Sequence, residues 1–397
     1  MGDFGKTTGG TSIESEFSEE GQYKVISIGS YSENSVYNDQ GLRAIKSDKT
    51  NNRVLNRNDL TMILNDKTTS GNIIGRVLLI EESGIYVYNQ RTERIEINVN
   101  EYDPVFLYEM LNAPNIREKI IKQAQGNTQI YVNWPTISLL DYMIPSKEEQ
   151  VKIGECLHNL SNLITLHQRK YDKLTKAKKS MLEKMFPKNG TNVPEIRFKG
   201  FTDAWEQRKL GEMMEVTSVK RIHQSDWTDS GVRFLRARDI VAESKKENVS
   251  EPLFISQEKY DEYSAVSGKV KKGDLLVTGV GTIGVPMLIN SEEPLYFKDG
   301  NIIWFKNENV IDGRFFYYSF NGLNIQKFIK ESAGLGTVGT YTIENGKKTP
   351  INLPPKKDEQ AKIGEYFFNL DHLITLHQRK LEKLKILKKA CLEKMFV

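Results

Sequence analysis

The sequence predicts an α+β protein in which two similar globular domains are joined by two long antiparallel (coiled-coil) helices with pseudo-two-fold symmetry. One helical segment occurs twice, at 144–186 and 354–396, with about two thirds of the paired positions identical. The copies are 210 residues apart, whereas the units of a solenoid repeat every roughly 20 to 50 residues. The globular segments that precede the two copies resemble each other faintly, in the same order. The chain therefore contains two related halves, each a globular part followed by a helix.

Both helical copies carry the apolar stripe of a coiled coil. Their seam residues follow one another at steps of four and three, which places them on one face of the helix. The seam consists of Ile153, Leu157, Leu160, Ile164, His167, Tyr171 and Leu174 in the first copy and of Ile363, Phe367, Leu370, Ile374, His377, Leu381 and Leu384 in the second. Each stripe needs a partner, and the other copy is the nearest. We expect a rigid antiparallel spacer roughly 50 Å long, at about 1.5 Å per residue.

The charge of the chain is distributed unevenly. The net charge is +4, but residues 144–186 and 354–397 carry +4 each, residues 1–143 carry −5 and residues 187–353 carry +1. A positive helical face is typical of a solvated surface, and equally of one that lies near phosphates or docks an acidic partner. Two cysteines, with no apolar signal sequence and no run of membrane-spanning length, indicate a protein of the reducing cytoplasm.

The pattern divides the chain into four parts. We expect a first globular domain at 1–143, a first spacer helix at 144–186, a second globular domain at 187–352 and a C-terminal spacer helix at 353–397. Alternating runs at 84–89 and 295–305 predict strands, and residues 104–123 and 313–331 predict helices. The helices repeat closely while the globular parts diverge, which indicates a fixed scaffold that carries variable loops.

The sequence contains no convincing catalytic centre. Residues 279–284 have the form G-x-G-x-x-G, but residues 285–289 predict a strand where a dinucleotide site needs a helix N-terminus, so we expect a glycine-rich hairpin. Residues 5–7 lack the first glycine and the preceding strand of a P-loop. Residues 352–355 lack the aromatic residue of the N-P-P-aromatic site of DNA amino-methyltransferases. We expect no catalytic residue, no metal site and no cofactor bound by this chain.

Several motifs resemble the conserved regions of the specificity subunit of bacterial type I restriction–modification enzymes. They are the P-x-x-x-E-Q-x-K-I beginning of each helix (145–153 and 355–363), its LITLHQRK core and its LEKMF end. Residues 194–213 resemble the usual lead into a target recognition domain, and residues 234–240 and 273–284 resemble pieces of one. The resemblance covers essentially the whole chain. The first globular domain lacks that lead, so its N-terminus is expected to be shortened by about 20 residues relative to the internal repeat.

The resemblance implies a non-catalytic DNA-recognition subunit of a multisubunit restriction endonuclease and adenine-specific DNA methyltransferase. Each recognition domain is then expected to read one half of a bipartite site in double-stranded DNA, while the helices set the spacing. The implied partners are two modification (methyltransferase) subunits and restriction/motor subunits, on which S-adenosylmethionine, ATP and Mg are expected. A spacer near 50 Å corresponds to about 15 base pairs at roughly 3.4 Å each.

Base edges are read by Arg, Lys, Asn, Gln, Ser and Thr on loops that reach the major groove. In the first domain this chemistry selects Lys67, Thr68, Thr69, Asn72, Asn127, Gln129, Tyr131 and Asn133. In the second domain it selects Lys220, Arg221, Arg236, Arg238, Thr278, Thr282, Thr337 and Tyr341. Arg236 and Arg238 are favoured because two arginines two apart on a strand share a face.

Three other interpretations stay open at this point. A structural adaptor would use the helices as a dimerisation rod and bind proteins, with no affinity for DNA. A self-contained methyltransferase or nuclease would need cofactor or metal motifs that the sequence lacks. A shortened variant would still assemble but would read only its second half-site.

Overall fold

A computed structural model describes residues 1–67, 70–127, 129–188, 190–334 and 339–396 of the chain. The chain divides into two compact units. Unit 1 contains residues 1–169 and 378–397, and unit 2 contains residues 170–377. Each long helix is therefore divided between the units. In the described part of the chain, no helix is both long enough and apolar enough to cross a membrane.

Unit 1 is built from short strands and helices that precede a long helix. Its elements are β1 (Gly5–Gly9), β2 (Tyr23–Ile26), β3 (Arg43–Ala44), α1 (Asp48–Asn51), β4 (Leu60–Ile63), β5 (Asn65–Asp66), β6 (Val77–Leu79), β7 (Tyr86–Tyr88), β8 (Thr92–Ile97), α2 (Pro104–Leu111), α3 (Pro114–Ile121), β9 (Ile130–Tyr131), α4 (Trp134–Ser138) and the first part of α5 (Lys147–Lys184). The main sheet has the antiparallel order β1-β8-β4-β6. A second sheet has the order β3-β2-β7, with β2 and β7 parallel, and β5 pairs with β9.

Unit 2 repeats this arrangement with a longer second sheet. Its elements are β10 (Glu206–Lys209), β11 (Glu215–Thr217), β12 (Trp227–Thr228), β13 (Val232–Leu235), α6 (Ala237–Ser244), β14 (Leu253–Ile255), α7 (Gln257–Ser267), β15 (Leu275–Thr278), β16 (Pro286–Leu288), β17 (Leu295–Phe297), β18 (Ile302–Lys306), α8 (Gly313–Phe320), α9 (Leu323–Ser332), α10 (Ile343–Lys348), β19 (Pro350–Leu353) and the first part of α11 (Lys357–Met395). The sheets have the orders β11-β18-β15-β16, β12-β14-β13-β17 and β10-β19. The strands β13 and β17 are parallel.

The predicted long helices are confirmed as α5 and α11. In unit 2 they run antiparallel. Lys178 of α5 contacts Asp371 of α11 at 2.6 Å, whereas Phe186, just beyond the end of α5, stacks on Phe367, which lies one turn closer than Asp371 to the start of α11. The main core of unit 1 includes Leu157 from α5 and Phe396 from the end of the chain. The two long helices therefore supply part of the core of each unit.

The helix motif E-Q-x-K-I-G holds each globular part on its long helix. In unit 1, the side-chain oxygen of Gln150 accepts a hydrogen bond from the backbone N–H of Asp103, and the Asp103 carboxylate caps α2 by accepting one from the N–H of Phe106. Gly154, one turn after Gln150, faces this cap: a Cβ there would lie 2.8 Å from the Asp103 carboxylate and 2.9 Å from the nitrogen of Phe106. The motif thus keeps the start of α2 in backbone contact with α5.

The same contacts recur in unit 2. The backbone N–H of Asp312 donates to Gln360, and the Asp312 carboxylate caps α8 at the N–H of Phe315. A Cβ on Gly364 would lie 2.8 Å from both the Asp312 carboxylate and the nitrogen of Phe315. The repeated motif therefore has a repeated structural cause.

Three details of the sequence-based elements need correction. The helices predicted at 104–123 and 313–331 are each two helices, α2 with α3 and α8 with α9, because short turns at 112–113 and 321–322 interrupt them. The strand predicted at 295–305 is two strands, β17 and β18, separated by the turn around Gly300, which has φ 69°.

The hairpin expected at the glycine-rich motif is confirmed, because β15 pairs antiparallel with β16 across residues 279–285.

Candidate nucleic-acid interface

Unit 1 has a polar groove where its two parallel strands end. Strands β2 and β7 run side by side, with Ile26 opposite Tyr88, so Ser27 and Asn89 emerge together at their carboxyl ends. The groove is lined by Glu14, Phe17, Ser27, Ile28, Gly29, Leu42, Asn65, Lys67, Asn89, Gln90, Arg91 and Gln129. Lys67, Gln90, Arg91 and Gln129 are exposed there. This set of amide and cationic side chains has the donors and acceptors that base edges and phosphates require.

The residues predicted for the first domain lie partly in this groove. Lys67 and Gln129 line it, and the exposed Tyr131 belongs to β9, next to Gln129 on the same segment. Asn127 and Asn133 are exposed on the loops before and after that strand. Asn72 lies elsewhere and donates to the carboxylate of Glu33 at 2.8 Å. Thr68 and Thr69 lie outside the described residues.

In unit 2 the corresponding strand ends carry an arginine and a lysine. Strand β13 pairs in parallel with β17, with Leu235 opposite Phe297, so Arg236 and Lys298 emerge where Ser27 and Asn89 do in unit 1. The prediction that Arg236 and Arg238 share a strand face is wrong. Strand β13 ends at Leu235, Arg236 precedes α6, and Arg238 lies within α6. The reason is Asp239, which accepts from the backbone N–H of Arg236 and starts a helix there. Arg236 is bound to Asp239 and to the carbonyl of Glu251, whereas Arg238 is exposed and pairs with the exposed carboxylate of Glu251 at 3.4 Å.

Lys220, Arg221 and Thr282 are also exposed in unit 2. Lys220 lies over the ring of Tyr263 at 4.1 Å, and Arg221 donates to Asp299 at 2.9 Å. The Asp299 hydrogen bond raises the pKa of Arg221. Burial acts to raise the pKa of Asp299, but the hydrogen bond from Arg221 and the charge of Lys298 lower it below its usual value. Arg221 and Lys298 therefore share one ionised carboxylate, that of Asp299, which a phosphate could replace as their partner.

Two of the predicted residues are buried, which gives them a structural role. Thr278 donates to the carbonyl of Thr282 at 2.5 Å and accepts from the N–H of Val285, so it closes the glycine-rich hairpin. The hydroxyl of Tyr341 is 2.5 Å from that of Thr349, in the core. We therefore withdraw Thr278 and Tyr341 as base-contacting candidates. Thr337 lies outside the described residues.

The predicted seam residues lie on the less exposed side of α5 and α11. Leu157, Ile363, Phe367, Ile374 and Leu381 are buried, and the other nine, including His167 and His377, are half-buried. Among the described residues, no group of three or more His, Cys, Asp or Glu side chains could hold a metal ion.

Comparisons with known proteins agree with this architecture. The sequence model of a family described as the type I restriction modification DNA specificity domain matches residues 1–176 and 202–386. The chain belongs to this family. Each of its two specificity domains thus includes one globular part together with its following helix, and the chain is a type I restriction–modification specificity subunit with two target recognition domains.

Individual relatives carry the same name. The type I restriction enzyme MjaVIII specificity subunit of Methanocaldococcus jannaschii is 25% identical over 353 residues, which cover 85% of this chain and 77% of that protein. A putative type I restriction enzyme specificity subunit of Haemophilus influenzae is 31% identical over 172 residues, 42% of this chain and 41% of that protein. The crystal structure of the S subunit of a type I restriction–modification system from M. genitalium superposes with a TM-score of 0.59 at 18% identity, covering 100% and 94% of the two chains, and supports the fold.

Sequence reasoning missed Gln90 and Arg91 in the first specificity domain. They form the turn between β7 and β8, where Arg91 has φ 71° and donates to the side chain of Asn65 at 3.2 Å. The polar run 89–91 between two strand-forming runs was a usable signal, because tight turns between strands place their side chains at a sheet edge. The choice by residue type alone overlooked that position.

A nearly buried carboxyl group makes the stability of the first specificity domain depend on pH. Glu93 lies in β8, two residues beyond Arg91, and burial raises the pKa of its carboxyl from 4.5 to about 7, against the opposing effects of Arg53 and a hydrogen bond from Thr7. The folded state therefore binds more protons than the unfolded state between these pH values, and this group's contribution to stability falls as the pH rises through that window.

We expect Glu93→Gln to raise the free energy of unfolding at pH 8 by about 2 kcal/mol and to change it little at pH 4. Chemical denaturation of the parent and the variant across pH 4–8 would measure the difference. The exposed Glu82 provides the control, since Glu82→Gln removes the same charge but no buried carboxyl group. Parallel pH profiles for Glu93→Gln and the parent would contradict the prediction.

Proposed function

We propose that each specificity domain reads one half of a bipartite site in double-stranded DNA, through the surface at the carboxyl ends of its parallel strands. The supporting observation is that the ends of these strands carry different polar side chains in the two units: Ser27 and Asn89 in unit 1, with Arg91 and Gln129 in the same groove, and Arg236 and Lys298 in unit 2. Two domains of one fold with different side chains at the reading position would recognise different sequences. The subunit itself catalyses no reaction in this proposal.

The long helices are proposed to set the spacing between the half-sites and to dock the methyltransferase and restriction subunits. Their contribution to the domain cores supports a fixed spacing. Exposed leucines support docking, with Leu163 and Leu166 on α5 and Leu373 and Leu376 on α11. Large exposed apolar side chains on a highly charged helix are typical of a surface that a partner covers. S-adenosylmethionine, ATP and Mg are assigned to the partner subunits.

Methylation mapping tests the proposal. The chain would be co-expressed with its modification subunit in a methylation-free host, the complex purified, and adenine methylation sequenced across the genome. We expect a split motif with a fixed gap. Failure of the complex to form would favour the structural adaptor, and methylation at a single uninterrupted half-site would favour a variant that reads DNA with its second domain only.

One arginine in each domain is expected to act on one half of that motif. Arg238→Ala should relax the second half-site, and Arg91→Ala the first, each by about tenfold or more at one base position, since a good base contact is worth about 1–3 kcal/mol of discrimination. Methylation of a library with randomised half-sites would measure both preferences in each variant. Lys271→Ala and Lys122→Ala, which remove an exposed cation away from the strand ends of the same unit, are the matched controls. An unchanged preference in Arg238→Ala or Arg91→Ala would remove that residue from the reading set.

A further inference from the structure

In unit 1, a lysine of α11 is bound by one side chain of the globular part and one of α5. Lys388 contacts the two carboxylate oxygens of Glu109, in α2, at 3.1 and 2.8 Å. It also donates to the hydroxyl of Ser161, in α5, at 2.7 Å, and that hydroxyl donates to the Glu109 carboxylate at 3.0 Å. The Glu109 side chain is 2% exposed and that of Lys388 22%. One carboxylate and one hydroxyl therefore bind a mostly buried ammonium group.

In unit 2, the equivalent lysine of α5 has the same two kinds of partner. Lys178 occupies the position of Lys388 in the helix repeat. It contacts the Asp371 carboxylate of α11 at 2.6 Å and lies over the ring of Tyr318, in α8, at 5.5 Å. The Tyr318 hydroxyl donates to the Asp371 carboxylate at 2.8 Å. Each unit thus joins its globular part to both long helices through a lysine, a carboxylate and a hydroxyl.

The carboxylate and the hydroxyl have exchanged places between the two units. Glu109 and Tyr318 occupy the same position of the globular parts, since each follows at the same distance the aspartate that caps α2 or α8. Ser161 and Asp371 occupy the same position of the helix repeat. The globular part therefore supplies the carboxylate in unit 1 and the hydroxyl in unit 2, and the long helix supplies the other group in each case.

This exchange makes the two arrangements incompatible with each other. A globular part with the glutamate, on a helix with the aspartate, would bring two carboxylates against one lysine, where each disfavours the charged form of the other. A globular part with the tyrosine, on a helix with the serine, would leave the lysine without a carboxylate, and a partly buried charge that has lost its partner is destabilising. Only the two native combinations supply one carboxylate for each lysine.

We propose that these two positions determine which globular part can be combined with which long helix. The matching element is the residue pair, Glu109 with Ser161 in unit 1 and Tyr318 with Asp371 in unit 2. Each target recognition domain is thereby restricted to its own place in the chain, so contacts within the protein fix the order of the two domains. This restriction acts on the assembly of each unit and is independent of how the domains read DNA.

Hydrogen exchange of the α2 amides in the full-length chain tests the match in unit 1, with the α8 amides as the internal reference. Ser161→Asp supplies a second carboxylate, and Glu109→Gln removes the native one. Each variant should raise the exchange rate of α2 by about tenfold or more and leave α8 unchanged, because the lysine and the carboxylates are no longer matched one to one. Ser161→Asp combined with Glu109→Gln returns one carboxylate to the lysine and should recover most of the protection.

Ser161→Asn is the matched control, because asparagine has the size of aspartate without its charge. Any effect that it has on α2 measures the added volume alone, and it should not rescue Glu109→Gln. Rescue of Glu109→Gln by Ser161→Asn as complete as that by Ser161→Asp would overturn the proposal, since volume and not charge would then explain the recovery.

The reciprocal change in unit 2 places the α2 residue beside Asp371. Tyr318→Glu should raise the exchange rate of α8 by about tenfold or more, and adding Asp371→Ser should restore protection, although Asp371→Ser alone lowers it. The α2 amides are the reference in these variants. Effects that simply add in the double variant of either unit would show that the two positions act separately, and would overturn the proposal.

Discussion

Replacing Gly154 by Ala is expected to lower the free energy of unfolding of unit 1 by about 2 kcal/mol, although alanine is the better helix former. In a solvent-exposed helix the exchange would stabilise by about 1 kcal/mol. Here the new Cβ would lie 2.8 Å from the Asp103 carboxylate and 2.9 Å from the nitrogen of Phe106. The neighbouring atoms cannot yield cheaply, because they are the cap and backbone of α2. Overpacking of this kind costs typically about 1–3 kcal/mol, and loss of the cap about 1 kcal/mol more.

Gly364→Ala should have the same effect on unit 2, where the contact atoms belong to Asp312 and Phe315. The midpoint of urea denaturation would measure both variants. Asn159→Ala, at an exposed position of α5, is the control for helix propensity and should leave the midpoint unchanged or slightly raised. A raised midpoint in Gly154→Ala would mean that α2 moves away from α5 without cost, and would exclude the glycine contact as a positioning device.

The glycine contact also shows why the sequence predicted the long helices but not how their repeated motif holds the globular parts. A 3.5-residue period is local, so the stripe from Ile153 to Leu174 predicted α5 without any knowledge of the fold. The motif E-Q-x-K-I-G was visible as a repeat, yet the reason for its glutamine and glycine lies in Asp103 and Phe106, some 50 residues earlier in the chain. Contacts at that separation leave no periodic signal in one sequence.

The candidate interface was predictable only in part for a related reason. Residue type identifies side chains that could contact bases, but whether they face solvent depends on the hydrogen bonds of the loop. Thr278 has suitable chemistry, but its hydroxyl is already hydrogen-bonded within the hairpin that it closes. Arg91 was overlooked, although the turn holds it at the groove. Arg236 and Arg238 were placed on a strand because their spacing fits one, but Asp239 caps a helix that follows Arg236 directly and includes Arg238.

Breaking the ion pair between Arg197 and Glu359 is expected to have the largest effect of any single change considered. The Glu359 side chain is 1% exposed and that of Arg197 11%, and the hydrogen bonds to Glu359 raise the pKa of Arg197. Arg197→Ala would leave the carboxylate buried without a partner, which typically costs about 3–5 kcal/mol. Because the pair attaches the segment 194–209, which ends in β10, to the start of α11, the variant should also release residues 194–209 to proteases before the rest of unit 2 unfolds.

The pair's net contribution to stability is a different quantity from the cost of breaking it. Arg197→Met combined with Glu359→Leu removes both charges and should restore most of the lost stability, since an apolar pair of similar volume often replaces a buried ion pair at little cost. Arg197→Lys should fall between the parent and Arg197→Ala, because an ammonium group cannot make both hydrogen bonds in the fork geometry of a guanidinium. Denaturation midpoints of the parent, Arg197→Met, Glu359→Leu and the double variant form a double-mutant cycle that isolates the coupling between the two side chains. A loss below about 1 kcal/mol in Arg197→Ala would contradict the prediction and would indicate that water reaches the Glu359 carboxylate.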